Sequence, residues 1–185
     1  MEHTLPSTQM GLLAIAAILV FWMVGAYNRL TAQRSAIGQA WERIEEALHQ
    51  RAGAAEPLAQ ALALPLAAEH GALQAWAAAQ AEAATAAANL AAKPVSESCA
   101  AAWAAAEAAL AAASSRVFAL LDQHPDLAGD DAVAPWAAAW REGQGRLPFA
   151  RQLFNDAVDT YNEAAAAFPT RLVALLFGLH PAGRV

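Results

Sequence analysis

Between Thr4 and Asn28 the chain carries no charged side chain, and Met10–Tyr27 reads MGLLAIAAILVFWMVGAY. Eighteen helical residues rise about 27 Å, close to the roughly 30 Å of a bilayer's hydrocarbon core. Trp22 and Tyr27 lie toward its C-terminal end, where interfacial aromatics collect. Val24-Gly25-Ala26 offers the small residues of a signal-peptidase site, but the leader holds Glu2 and no Lys or Arg. The apolar run also exceeds a usual signal-peptide core. An uncleaved transmembrane anchor over 10–27 is therefore expected, with a short tail over 1–9 and a tethered domain over 28–185. Arg29 and Arg34 come after the segment, whereas Glu2, His3 and the terminal amine precede it. The positive-inside rule then sets the N-terminus outside and the domain in the cytoplasm. Acidic Glu42, Glu45 and Glu46 count little in that balance.

The chain beyond the anchor has to be helical. Ala occurs 55 times, while Val and Ile together number 12, and Ala favours helix as strongly as β-branched residues favour strand. Tyr27, Leu30, Ile37, Trp41, Ile44 and Leu48 keep alternating three- and four-residue steps, interrupted at Arg34. One helix from about residue 10 to 51 is expected, stopped by Gly53 and Pro57. A second, over about 57–91, would turn Leu58, Leu62, Leu66, Leu73, Trp76 and Leu90 inward, with a kink at Pro65. A third would run from Ser96 to the His124-Pro125 boundary, with the seam Trp103, Ala106, Leu110, Ala113, Val117 and Leu120. A fourth, capped by Asp130 or Asp131, would reach Ala167 with the seam Leu147, Ala150, Phe154, Ala157, Tyr161, Ala164 and Phe168. The expected fold is all-α: the anchor continues into an antiparallel four-helix bundle, closed by a short apolar C-terminal helix.

Little in the chain points to catalysis. Cys99 stands alone, which excludes an internal disulfide and any multi-cysteine zinc site. Glu46 and His49 have the Glu-x-x-His spacing of dimetal bundles, but no second copy of that motif exists. A metal-binding or enzymatic bundle using Glu46 and His49 is thus the secondary reading, and no cofactor is expected. A formal charge of −6 with a single lysine, Lys93, argues against nucleic acid as a partner. Trp136 and Trp140 share a helical face, either as bundle packing or as an aromatic patch for a partner protein. Asn155 and Asn162 stand one heptad apart, each beside a seam aromatic, as buried asparagines that set register do. Leu172–Leu179 (LVALLFGL) is too apolar for a loose tail and too short to span a bilayer. Bundle topology returns it to the juxtamembrane turn near Tyr27, Leu30 and Arg34, where packing of Leu175, Leu176 and Phe177 against helix one is favoured over insertion of Phe177 into the lipid interface.

Phe154-Asn155 and Tyr161-Asn162 form a repeated aromatic-Asn pair, succeeded by Phe168-Pro169 and Leu172–Gly178. With Tyr27-Asn28-Arg29-Leu30, Ala40-Trp41, Ile44 and His124-Pro125-Asp126-Leu127, the sequence resembles the LemA family of bacterial membrane proteins. The resemblance implies one N-terminal membrane helix, a helical bundle, the bacterial inner membrane and no catalytic residues. Where the family usually carries an uninterrupted polar helix, this chain has Gly143, Gly145 and Pro148. Loss of the Pro148 bond to the carbonyl of Gln144 predicts a kink or break between Gly143 and Pro148, dividing helices over 131–142 and 146–167. A membrane-anchored scaffold or partner-binding module is the reading these features favour. Its contacts would be the bilayer through Met10–Tyr27 and a protein partner or a second copy. Arg34, Trp41, Trp136, Trp140, Asn155, Tyr161, Asn162, Leu175, Leu176 and Phe177 are the candidate structural or interaction residues.

Overall fold

The computed structural model describes residues 7–185, with side-chain environments from residue 9. The expected contribution of Glu2 and His3, and most of the 1–9 tail, lies outside the described residues. Their regular structure is entirely helical: α1 (Ser7–Ala63), a 3-10 turn (Ala67–Glu69), α2 (His70–Ala92), α3 (Glu97–Asp122), α4 (Pro125–Ala128), α5 (Ala134–Ala166) and α6 (Thr170–Leu176).

α1 has 57 residues and carries the apolar segment directly into the bundle. It does not stop near residue 51. Pro57 lies inside it, giving up one backbone bond to the carbonyl of Gly53. Ala54, Leu58 and Leu62 around that point are fully or nearly fully buried, and their packing outweighs a proline cost of about 3 kcal/mol. The chain turns instead at Leu64–Leu66, where Pro65 disfavours helical geometry for Leu64. Every residue expected to face inward on the second helix is buried, although Leu58 and Leu62 belong to α1.

α1 packs mainly on α5, and α2 mainly on α3. Ser96 caps α3, its hydroxyl accepting from the Cys99 N–H at 3.3 Å. The buried positions of α3 are Ala100, Trp103, Glu107, Leu110, Ser114, Val117 and Leu121. Relative to the expected seam, Glu107, Ser114 and Leu121 replace Ala106, Ala113 and Leu120, which are half-buried. α5 shows the same one-residue shift, burying Val158 and Ala165 and leaving Phe168 exposed. Alternating Ala positions bury too little area to fix the face, so the larger neighbours decide it.

α5 begins at Ala134 behind Val133; Asp130 instead accepts the Ala132 N–H at 2.7 Å in the preceding turn. The expected break at Gly143–Pro148 is absent: α5 is one helix through all three residues. Gly143 serves close approach rather than interruption. A Cβ there would lie 2.8 Å from the backbone nitrogen of Arg51 on α1. That tight seam holds α5 in register, and one missing proline donor does not outweigh it.

Two apolar clusters fill the bundle. One gathers Leu30, Ile37, Trp41, Ile44, Trp103, Phe154, Val158 and Tyr161 near the apolar end of α1. The other gathers Leu58, Leu62, Leu66, Trp76, Leu110, Leu121 and Trp140 at the far end. Arg51 and Glu107 fall between them in sequence on both α1 and α3, and both are buried.

Candidate functional site

The end of the bundle nearest the apolar segment carries the most unusual surface. None of that segment is buried, as expected of a helix long and apolar enough to cross a membrane. α3 passes the same test of length and composition, but its Trp103, Glu107, Ser114 and Val117 are buried within the bundle. α6 lies beside the exit of α1, with the Phe177 ring 4.7 Å from that of Tyr27. Its inward residues are Val173 and Ala174. Leu175 and Leu176 are 71% and 69% exposed, so the expected burial of these two leucines does not occur. Seven residues give a helix two faces, and the smaller pair fits against α1 while Leu172, Leu175 and Leu176 form an open strip.

Beyond α6 the chain turns at Gly178, whose φ of +63° suits a residue without Cβ, and runs extended along α5. Asn162 donates from Nδ2 to the Ala182 carbonyl at 2.9 Å and accepts the Ala182 N–H on Oδ1 at 2.8 Å. Asn155 repeats the arrangement on Val185, at 2.8 and 2.9 Å. The Tyr161 hydroxyl donates to the His180 carbonyl at 2.9 Å, and Arg184 pairs with Asp159 at 2.8 Å. Across the groove stands α3: a Cβ on Gly183 would lie 2.5 Å from the Cα of Glu97. The asparagines bond the backbone of the C-terminal segment, in place of the expected bonds to a neighbouring helix. Burial raises the Tyr161 phenol above its ordinary pKa, and the Arg34 charge opposes that rise. Arg34 itself is exposed and lines a cleft with Lys93, Ser96 and His180.

Between the two apolar clusters sits a charged layer. Arg51 binds both oxygens of Glu107, at 2.8 and 2.6 Å, and donates to Gln144 Oε1 at 2.8 Å. Arg151 approaches the same carboxylate at 3.8 Å and stacks on Trp103, 4.6 Å from the ring centroid. Burial lowers the Arg151 pKa; Glu107 opposes that, and Arg51 adds to it. Sequence reading missed this cluster. Its available signal was Glu107, the one charged residue between Glu97 and Arg116, set a half-heptad from Trp103 and Leu110.

The remaining candidates separate. Trp41 is core, edge-on to Trp103 and Phe154 at 5.2 and 6.0 Å, its indole N–H donating to Glu45. Trp140 is also core, against Phe118 and Trp76 at 4.9 and 6.1 Å. Trp136 alone of that pair is exposed, so the two form no single patch. Glu46 and His49 are both exposed, and neither has a metal-ligand partner set around it. Among the described residues no three His, Cys, Asp or Glu side chains converge as metal ligands would.

A family model described as LemA family matches residues 40–184, a span that includes Trp41, the Arg51–Glu107 pair and both clamping asparagines. The chain belongs to the LemA family. No curated protein matches it.

Proposed function

We propose that this LemA-family chain is a single-pass membrane protein whose bundle acts, without catalysis, as a docking module in membrane or envelope organisation. The observation that carries the reading is the continuity of α1, which runs unbroken from an apolar segment with no buried residue into the core of the bundle. Residues 10–27 are the anchor and 28–185 the domain it holds at the bilayer surface. Arg29 and Arg34 support a bacterial inner-membrane topology with the N-terminus outside and the bundle in the cytoplasm. The α6 strip supports a second contact at the same level, with Leu172, Leu175 and Leu176 in the lipid interface and Arg171 at the headgroups. Trp136 and the open α6 face are the surfaces through which a protein partner or a second copy would dock. The acidic balance of the chain gives nucleic acid no comparable footprint.

Fusion of topology reporters after the last residue tests the orientation: a cytoplasm-dependent reporter is expected to be active, and activity of a periplasm-dependent one alone overturns it. Crosslinking in native membranes tests the docking role. Recovery of an uncrosslinked bundle, with label on neither lipid nor protein, overturns that part.

A further inference from the structure

We propose that the groove between α3 and α5 is an exchangeable peptide site, filled here in cis by residues 180–185, and that it takes the same segment from a second copy. The site itself rests on how the segment is held, and its exchange between copies rests also on the membrane reading above.

Asn155 and Asn162 each engage both backbone groups of one residue and no side chain of the segment. Their spacing fits an extended chain. Seven helical residues rise about 10.5 Å, while the three residues from Ala182 to Val185 span about 9–10 Å when extended. A three-residue repeat is the period of polyproline II, in which every third residue faces the same way. Pro181 lies just before the first clamped residue and favours that backbone. Selectivity comes from two places: Ala182 is buried, and Gly183 passes so close to Glu97 that any larger residue collides. The groove thus reads an extended small-Gly-x-aliphatic segment, and Ala182-Gly183-Arg184-Val185 supplies it.

Release is built in. The segment joins α6 through Gly178 and Leu179, and His180, Pro181 and Arg184 are exposed. Local opening therefore costs five hydrogen bonds, the exposed Arg184–Asp159 pair and the packing of Ala182, Gly183 and Val185 at the edge of one apolar cluster, while the large side chains of that cluster stay packed on each other. A short tether gives the cis segment an effective concentration in the millimolar range. Confinement of many copies to one membrane raises the trans concentration toward that value, and exchange of an identical element then links copies without any new contact surface.

The test begins with the folded full-length chain, carrying a specific protease site between Leu179 and His180, in detergent or nanodiscs. After cutting, helicity is expected to stay unchanged and a labelled peptide of sequence His180–Val185 to exchange into the groove. Asn162→Ala in the protein is expected to weaken that binding about tenfold or more, and Gly183→Val in the peptide to abolish it. Loss of helicity on cutting, absence of exchange, or equal binding of the Gly183→Val peptide overturns the site. For the second copy, a chain lacking residues 180–185 is mixed with an Asn155→Ala/Asn162→Ala chain. One then has the groove without the segment, and the other the segment without the groove. Specific pairing of the two supports exchange between copies; no pairing overturns it.

Discussion

Asn162 grips Ala182 by both ends of its amide, donating at 2.9 Å and accepting at 2.8 Å, from one turn of α5 to one residue of an extended chain. Asn155 does the same to Val185 a heptad earlier. The contact closes the end of the bundle that α1 leaves toward its apolar segment. It ties the last element of the chain to the helix that packs most closely on the first.

Replacement of Asn162 by Ala removes both bonds and leaves the Ala182 N–H and carbonyl without partners in a half-buried groove. The expected loss is about 1–3 kcal/mol in urea or thermal unfolding. Asn155→Ala is expected to cost less, because Ala182 is buried and Val185 only half-buried. Equal stability of Asn162→Ala and the parent chain would remove the clamp from any account of the fold.

Glu107 answers two arginines, Arg51 at 2.6 Å and Arg151 at 3.8 Å. Glu107→Ala leaves Arg51, 4% exposed, as an uncompensated charge between two apolar clusters. A destabilisation of about 3–5 kcal/mol is expected. The double change Arg51→Met/Glu107→Leu removes the buried pair, and Arg151, 31% exposed, can turn its charge to water, so much of the stability is expected to return. A double mutant no more stable than Glu107→Ala in denaturant titration would show that the ion pair does more than satisfy itself.

Gly143→Val tests the crossing of α1 and α5. The space is taken: a Cβ would stand 2.8 Å from the Arg51 nitrogen and 3.1 Å from its Cα. Backbone cannot move aside as a flexible side-chain end can, so the helices must separate and loosen the Arg51–Glu107 geometry. A loss of roughly 2–4 kcal/mol is expected from thermal unfolding. Gly145→Ala has open space around it and is expected to be neutral or slightly stabilising, since Ala exceeds Gly in helix propensity.

How far the sequence foretold these sites depends on how strongly each residue is constrained. The apolar segment, the inward leucines and the seam tryptophans were legible because large side chains at heptad spacing leave one burial solution. The exact face of α3 was not, because an alanine at 106 or 113 has too little area to compete with Glu107 or Ser114 for the buried position. A lone Glu107 reads as solvated until Arg51, 56 positions earlier, is placed against it. Pro57 and Pro148 read as stops because local rules charge them fully, whereas tertiary packing of Leu58 or Gly143 decides otherwise. The Asn pair was visible as a repeat. Its partner was not, since a short extended segment has no periodicity to announce it.

Tyr161 gives the clamp a pH response at the alkaline side. Burial raises its pKa above the ordinary tyrosine value near 10, so the folded chain keeps a proton that the unfolded chain has released. The stabilising contribution is full below the unfolded pKa and falls as pH rises through the higher folded one. Put in terms of sign, the proton held by the folded phenol means that unfolding releases it, so stability declines with rising pH only in that alkaline window. Tyrosinate absorbance, taken as the difference between the parent chain and Tyr161→Phe, is expected to titrate above pH 10. Loss of the Tyr161 bond to the His180 carbonyl should accompany it. A difference titration centred at or below 10 would contradict the burial of this ring.

The α6 strip separates stability from membrane contact. Leu175 is 71% and Leu176 69% exposed, so Leu175→Ser/Leu176→Ser is expected to change unfolding in detergent by no more than about 0.5–1 kcal/mol. Val173→Ser is expected to cost more, roughly 2–3 kcal/mol, because that residue is 2% exposed and its pocket would be left with a hydroxyl. The order reverses at the bilayer. With the emission of Leu176→Trp taken as its difference from the parent chain, which already carries Trp22 in the apolar segment, brominated lipids in liposomes are expected to quench the added signal, because Tyr27 fixes α6 at the level where α1 leaves the apolar segment. Adding Leu175→Lys should lower that quenching while leaving helicity intact. A difference emission that brominated lipids leave unquenched would place the strip in water and leave it free for a protein partner.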